Sequence, residues 1–156
     1  MAELLRVGMV AGEASGDLLA AHLIAALKAR RRTMMFAGIG GPRMAAQGFE
    51  SHYPMEKLSV RGYAEVLKNY LEIMSIRRRL ARGMIRERPD LFIGVDSNDF
   101  NLGLERRLKD AGIPTIHYVS PSVWAWRGWR VKKIARAVNR ILVMFPFEKP
   151  LYEKAG

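Results

Sequence analysis

The chain has 156 residues, 26 Lys and Arg against 15 Asp and Glu, a net charge of +11, and no cysteine. That length suits one domain with its own core, and the absence of cysteine excludes disulfides, thiolate metal sites and a cysteine nucleophile. No apolar run approaches the roughly 18 residues that cross a bilayer, and Gly12-Glu13 comes too early for a signal-peptide core, so an intracellular domain with an anionic partner is expected.

In chain order, Arg6 to Ala11 reads as a strand, and Asp17 to Arg30 as a helix with Leu18, Leu19, Leu23, Ile24 and Leu27 at helical spacing. Met34 to Gly38 is a second short strand, and Pro42 opens a short helix running to Gln47. Tyr63 to Arg86 is a long amphipathic helix with a candidate break at Gly83, and Pro89 stops it. Leu91 to Val95 reads as a buried strand ending at Asp96, followed by a helix from Leu102 to Asp110. Thr115 to Val119 is a strand, Arg127 to Ala137 a helix, and Arg140 to Phe145 the next strand, with a helical start after Pro146.

Strands this apolar, alternating with helices, predict an α/β fold: a Rossmann-like parallel sheet with helices on both faces. Ligands in such sheets bind beyond the carboxyl ends of the strands, which selects the loops. The first, Gly12-Glu13-Ala14-Ser15-Gly16-Asp17, is neither a dinucleotide fingerprint nor a Walker loop. Its carboxylates oppose a pyrophosphate, whereas Glu13 and Ser15 suit sugar hydroxyls; the competing reading is a structural turn with Ser15 or Asp17 capping the helix. In the loop after the third predicted strand, Asp96 occupies the strand tip where an α/β enzyme places a general base, while Asp99 reads better as a helix cap. The loop after Val119 holds Ser120-Pro121-Ser122-Val123-Trp124-Ala125-Trp126-Arg127, with Trp129 beyond. Three Trp so close together suit sugar or base stacking or a membrane interface. His22, His52 and His117 have no ligand partner nearby in sequence, and no metal site or cofactor is expected.

The charge is localised. Arg77 to Arg88 and Arg127 to Arg140 carry the whole excess, and the remaining residues balance. On a 100° wheel Tyr63, Val66, Leu67, Tyr70, Leu71, Ile73 and Met74 fill about 160°, more than the roughly 100° a surface helix needs to seat on a core. The surplus edge meets Arg77, Arg78 and Arg79. Such a helix either touches anionic lipid or is buried on two sides or against a partner.

Taken together, Val10 to Asp17, Gly41-Pro42-Arg43-Met44, Val95-Asp96 with Asp99-Phe100-Asn101, His117 to Arg127, and Pro146-Phe147-Glu148 resemble the lipid-A-disaccharide synthase family, bacterial inverting glycosyltransferases of the GT-B fold. The resemblance runs the length of the chain, and the Ser-Pro-Ser-Val-Trp-Ala-Trp run is its most specific part. It implies that residues 1–156 form one Rossmann-like acceptor-side domain, with a C-terminal UDP-sugar domain lying outside this chain. The implied reaction moves 2,3-diacylglucosamine from UDP-2,3-diacylglucosamine to 2,3-diacylglucosamine 1-phosphate, giving the β-1,6 disaccharide 1-phosphate and UDP without metal or cofactor. By the same resemblance Asp96 is the catalytic base, and Glu13, Ser15, Asn101 and Ser120 bind the acceptor. Val66, Leu67, Tyr70, Ile73, Met74, Arg77 and Arg78 are expected to touch an anionic membrane surface, the cytoplasmic face of the inner membrane. Homo-oligomer formation stays open, and the fragment alone is expected not to catalyse transfer. Asn98 stands where the family usually has Pro, and Arg61 where an apolar residue is usual.

Two alternatives explain less. A basic nucleic-acid-binding domain accounts for the charge and the Trp/Arg cluster but not for the acidic loops. A GT-B enzyme on a soluble UDP-sugar leaves the surplus apolar arc unexplained.

Overall fold

The computed structural model describes residues 3–31, 33–59, 66–120 and 129–154, without the side chains of Val66, Asn98, Trp129 and Arg130. Tyr63, Arg61 and the Trp124/Trp126 run lie outside the described residues.

The strands are β1 (Leu5–Ala11), β2 (Met34–Gly40), β3 (Glu50–Pro54), β4 (Leu91–Val95), β5 (Thr115–Tyr118) and β6 (Arg140–Leu142). The helices are α1 (Ala14–Arg30), α2 (Pro42–Ala46), α3 (Val66–Glu87), α4 (Asn98–Asp110), α5 (Trp129–Ala137) and α6 (Lys149–Glu153). Among the described residues the six strands form one sheet in the order β3-β2-β1-β4-β5-β6, every pair parallel. This is the strand order of a Rossmann-like domain.

Alternation along the central strands sends side chains to both faces, and both are covered. Val7, Met9 and Ala11 of β1 join Ile93 and Val95 of β4 in a core with Ile24 of α1 and Met44 of α2. Val10 and Phe92 point the other way, against Ile76, Leu80 and Met84 of α3 and Leu104 and Leu108 of α4. A smaller cluster joins Leu102 of α4 to Val131, Ile134 and Ala137 of α5.

Several expected boundaries shift. β3 was not expected, because Glu-Ser-His-Tyr-Pro is a polar, mostly exposed segment at the sheet edge and lacks the apolar run of a buried strand. Helix α1 begins at Ala14 and α4 at Asn98, each earlier than the apolar period alone indicates. Gly83 does not break α3: a glycine costs a helix about 1 kcal/mol, and burial of Leu80, Ala81 and Met84 around it outweighs that. β6 ends at Leu142, and Met144 and Phe145 are exposed.

Candidate functional site

In this strand order β1 connects to β2 on one side and its other neighbour is β4, so the chain direction across the sheet reverses between them. The loops leaving β1 and β4 therefore part to opposite faces, opening a crevice at the carboxyl ends of the two strands. Topology alone thus selects Gly12-Glu13 and Asp96-Ser97, whose strands end side by side with Ala11 opposite Val95.

The two loops touch. A Cβ added to Gly12 would lie 2.3 Å from Ser97 Oγ, so any other residue here would displace the Ser97 hydroxyl. Ser59 Oγ donates to the Gly12 carbonyl at 3.2 Å from the third side. Glu13 and Ser15 stand exposed at the start of α1, and no side chain caps that helix. Asp17 caps a different one. Buried at the first turn of α1, its carboxylate accepts from the backbone N–H groups of Gly41 and Arg43 (both 3.1 Å) and Met44 (2.9 Å). It satisfies the otherwise orphaned donors at the start of α2 and so ties the loop after β1 to the loop after β2. The expectation that Asp17 caps its own helix is corrected: at the fourth position of α1 it faces α2.

At the tip of β4 the backbone turns sharply. Asp96 and Ser97 have φ of 52° and 45°, and Val119, at the end of neighbouring β5, has 75°. For a β-branched residue that conformation is a genuine outlier, and each such residue costs on the order of 1–3 kcal/mol. Three of the four non-glycine residues with positive φ among the described residues thus sit at two adjacent strand tips. The fourth, Arg88, terminates α3.

Asn101 holds this geometry. Fully buried on the inner face of α4, its Nδ2 donates to the carbonyls of Asp96 (2.8 Å), Val10 (3.1 Å) and Val95 (3.4 Å), joining the ends of β1 and β4 beneath the crevice. Asn101 Oδ1 has no hydrogen-bond partner among the described residues. Asp96 itself is half-buried. Asp99 makes no side-chain cap: the N-cap of α4 is Ser97, also without a side-chain cap bond, and Asp99 offers only its carbonyl, to Arg77.

One turn below Asn101, Glu105 reaches across β4 to His117 on β5, with Oε1 2.7 Å from Nδ1 and both side chains fully buried. The path crosses Gly94, where an added Cβ would lie 1.9 Å from Glu105 Oε1. Burial raises the Glu105 pKa above the ordinary carboxylate range, and the bond to His117 pulls it partly back. The sequence reading passed over this pair, treating His117 as incidental. The available signal was Glu105 at the i+4 position from Asn101, inside the apolar stripe of Leu104 and Leu108. Ser120, beyond β5, is half-buried and hydrogen-bonded to the Tyr152 hydroxyl of α6; burial raises the Tyr152 pKa.

The structure gathers Glu13, Ser15, Asp96 and Asn101 at one end of the β1–β4 pair, Asn101 underneath and the others around the opening. The residues expected at a membrane lie elsewhere, on α3. Leu67 and Tyr70 are exposed (78% and 56%), and so is Leu71 (66%). Ile73 packs on the core and Met74 is half-buried. Arg78 is exposed, whereas Arg77 folds inward over α4, Nη1 donating to the Asp99 carbonyl at 3.2 Å and Nη2 lying 3.0 Å from Met74 Sδ. Among the described residues no helix is long and apolar enough to cross a membrane.

Residues 7–156 match the family described as Lipid-A-disaccharide synthetase. The chain is 67% identical over 152 residues to the lipid-A-disaccharide synthase of Chromobacterium violaceum, an alignment covering 97% of this chain and 39% of that protein. It is 65% identical over 154 residues to that of Dechloromonas aromatica, covering 99% and 40%. The Azoarcus sp. protein of the same name is 61% identical over 151 residues, covering 97% and 39%. The chain spans about two fifths of the length of these relatives.

Proposed function

The chain belongs to the Lipid-A-disaccharide synthetase family, and from that premise we propose that it is the acceptor-side domain of an inverting glycosyltransferase. The reaction joins 2,3-diacylglucosamine, carried on UDP, to the 6-hydroxyl of 2,3-diacylglucosamine 1-phosphate, with UDP leaving. The observation that carries this reading is the crevice itself: a half-buried carboxylate, Asp96, on a strained strand tip at the switch point of a parallel sheet, with Glu13 and Ser15 exposed where the adjacent strand β1 passes into α1.

An alcohol is too weak an acid to ionise before attack. Asp96 therefore takes the 6-hydroxyl proton as that oxygen bonds to the anomeric carbon and the bond to the UDP oxygen breaks on the opposite face. No covalent sugar–protein intermediate forms, so the anomeric centre inverts to the β linkage. Glu13 and Ser15 accept from and orient acceptor hydroxyls, while Asn101 fixes the Asp96 backbone from below. The donor nucleotide belongs to a second domain, so residues 1–156 bind acceptor and do not complete transfer alone.

The exposed Leu67, Tyr70 and Leu71 and the arginines following them supply the surface on which diacylated substrates are met, at the cytoplasmic face of the inner membrane. Clustered acids at the crevice disfavour a nucleic-acid ligand there.

The test is the full-length reading frame carrying these residues, assayed with both diacylated substrates. The reading expects a β-1,6-linked disaccharide 1-phosphate, its anomeric configuration read by the proton coupling at C1. An α-linked product, or none, would overturn it.

A further inference from the structure

The surface reading leaves a second feature of α3 unexplained. An open cleft of about 500 Å³ lies between α3 and α4, lined by Arg78, Ala81 and Arg82 with Ile85 on one side and Arg107 and Asp110 on the other. Its lone carboxylate is occupied: Arg106 Nε donates to both oxygens of Asp110, at 3.1 and 3.3 Å. Arg78, Arg82 and Arg107 make no ion pair among the described residues and are exposed. The crowding has an electrostatic mark. Arg77, held beside the cleft, has its pKa lowered by burial and then by the charge of Arg107, with Tyr70 and Asp99 opposing. Cations brought together from two helices and left uncompensated favour an anion between them.

The cleft is aligned with the exposed apolar edge. At 3.6 residues per turn, Leu67, Leu71, Met74, Arg78, Arg82 and Ile85 fall within about 80° of one another. One stripe of α3 therefore changes from exposed leucine to unpaired arginine. At 1.5 Å per residue, Arg78 lies about 10 Å along the helix from Leu71. An apolar edge sinks about 5–10 Å into the boundary between headgroups and acyl chains; with α3 tilted so that Leu67 and Leu71 enter first, the arginines farther along the stripe stay at the level of the phosphates.

We propose that the Arg78–Arg82–Arg107 cleft is a binding site for the headgroup phosphate of an anionic membrane phospholipid, seated when the Leu67–Leu71 edge enters the bilayer. The inference rests on the membrane-surface reading above and adds to it a built site in place of diffuse attraction. Guanidinium groups bind phosphate oxygens in a planar, two-pronged fashion that ammonium groups do not reproduce. A site is therefore sensitive to geometry at constant charge, and a diffuse patch only to charge.

The experiment measures binding of the purified protein to phosphatidylcholine vesicles with and without phosphatidylglycerol. Arg82→Lys/Arg107→Lys keeps the net charge; Lys132→Gln/Lys133→Gln, on the exposed face of α5, removes two charges elsewhere. Thermal melts establish that both variants are folded. The site predicts that the Arg→Lys pair weakens binding to phosphatidylglycerol vesicles about tenfold and the α5 pair by less than about threefold. Lysine variants that bind like wild type, or an α5 pair with the larger effect, overturn the site and leave the surface reading standing. Wild-type protein that binds neither vesicle overturns both. Inorganic phosphate that binds without vesicles below about 1 mM, read from the Arg107 Nε–H resonance, makes a soluble anion the occupant and overturns the lipid assignment.

Discussion

The tips of β1, β4 and β5 and the N-terminal half of α3 follow opposite rules. At the strand tips the buried polar side chains bridge elements: Asp17 caps a neighbouring helix, Asn101 joins two strands, Glu105 pairs with His117, and a side chain at Gly94 would run into Glu105. On α3, Leu67, Tyr70 and Leu71 project into solvent. Buried side chains hydrogen-bonded across neighbouring elements hold the strand tips in fixed positions, as the proposed chemistry on a hydroxyl requires. Apolar groups left exposed gain nothing from the fold and only find burial against another surface. The molecule thus separates precision from attachment along its length.

Three variants sharpen that contrast through stability, measured by chemical denaturation or, for the pH dependence, by thermal melting. The largest loss is expected at Asp17→Ala, which orphans three backbone donors at the start of α2 and costs about 2–3 kcal/mol; a cost below about 0.5 kcal/mol would show that the carboxylate bridge does little. Glu105→Gln has a smaller effect, with a sign set by pH. The Glu105 pKa is raised in the folded state, so its full contribution is present below the ordinary glutamic acid value. That contribution declines as pH rises through the folded value. The melting temperature of Glu105→Gln relative to wild type is therefore expected to be higher at pH 8 than at pH 4, and the opposite slope would mean that the charged form is the favoured one. Leu67→Ser with Leu71→Ser should leave stability within about 0.5 kcal/mol while weakening vesicle binding. A large destabilisation instead would place those leucines in the core.

What the sequence disclosed follows from where apolar atoms sit. β1, β4 and α1 are legible because buried runs and helical spacing mark them directly. β3 is not, because an edge strand with Glu50, Ser51 and His52 exposed looks like a loop. The strand-end rule selected the loops, the chemistry of their side chains singled out Glu13 and Asp96 within them, and the parallel order then set those two loops against each other. The roles of Asp17 and Glu105 were hidden for one reason: each acts on a partner 12 or more residues away, and local capping or surface charge explains such a residue equally well until the chain is folded. Arg77 is similar. Its place in an arginine run suggested a surface contact, but the missing side chain at Gly103 lets its guanidinium lie against α4.

The central claim is that the crevice between β1 and β4 is where the acceptor hydroxyl loses its proton, and Asp96→Asn in the full-length protein tests it most directly. The amide keeps the size of the side chain and cannot accept that proton. The account predicts that kcat falls by about 10²–10⁴ while the acceptor KM changes by less than about threefold. A kcat within about threefold of wild type would contradict it and move the base to another residue.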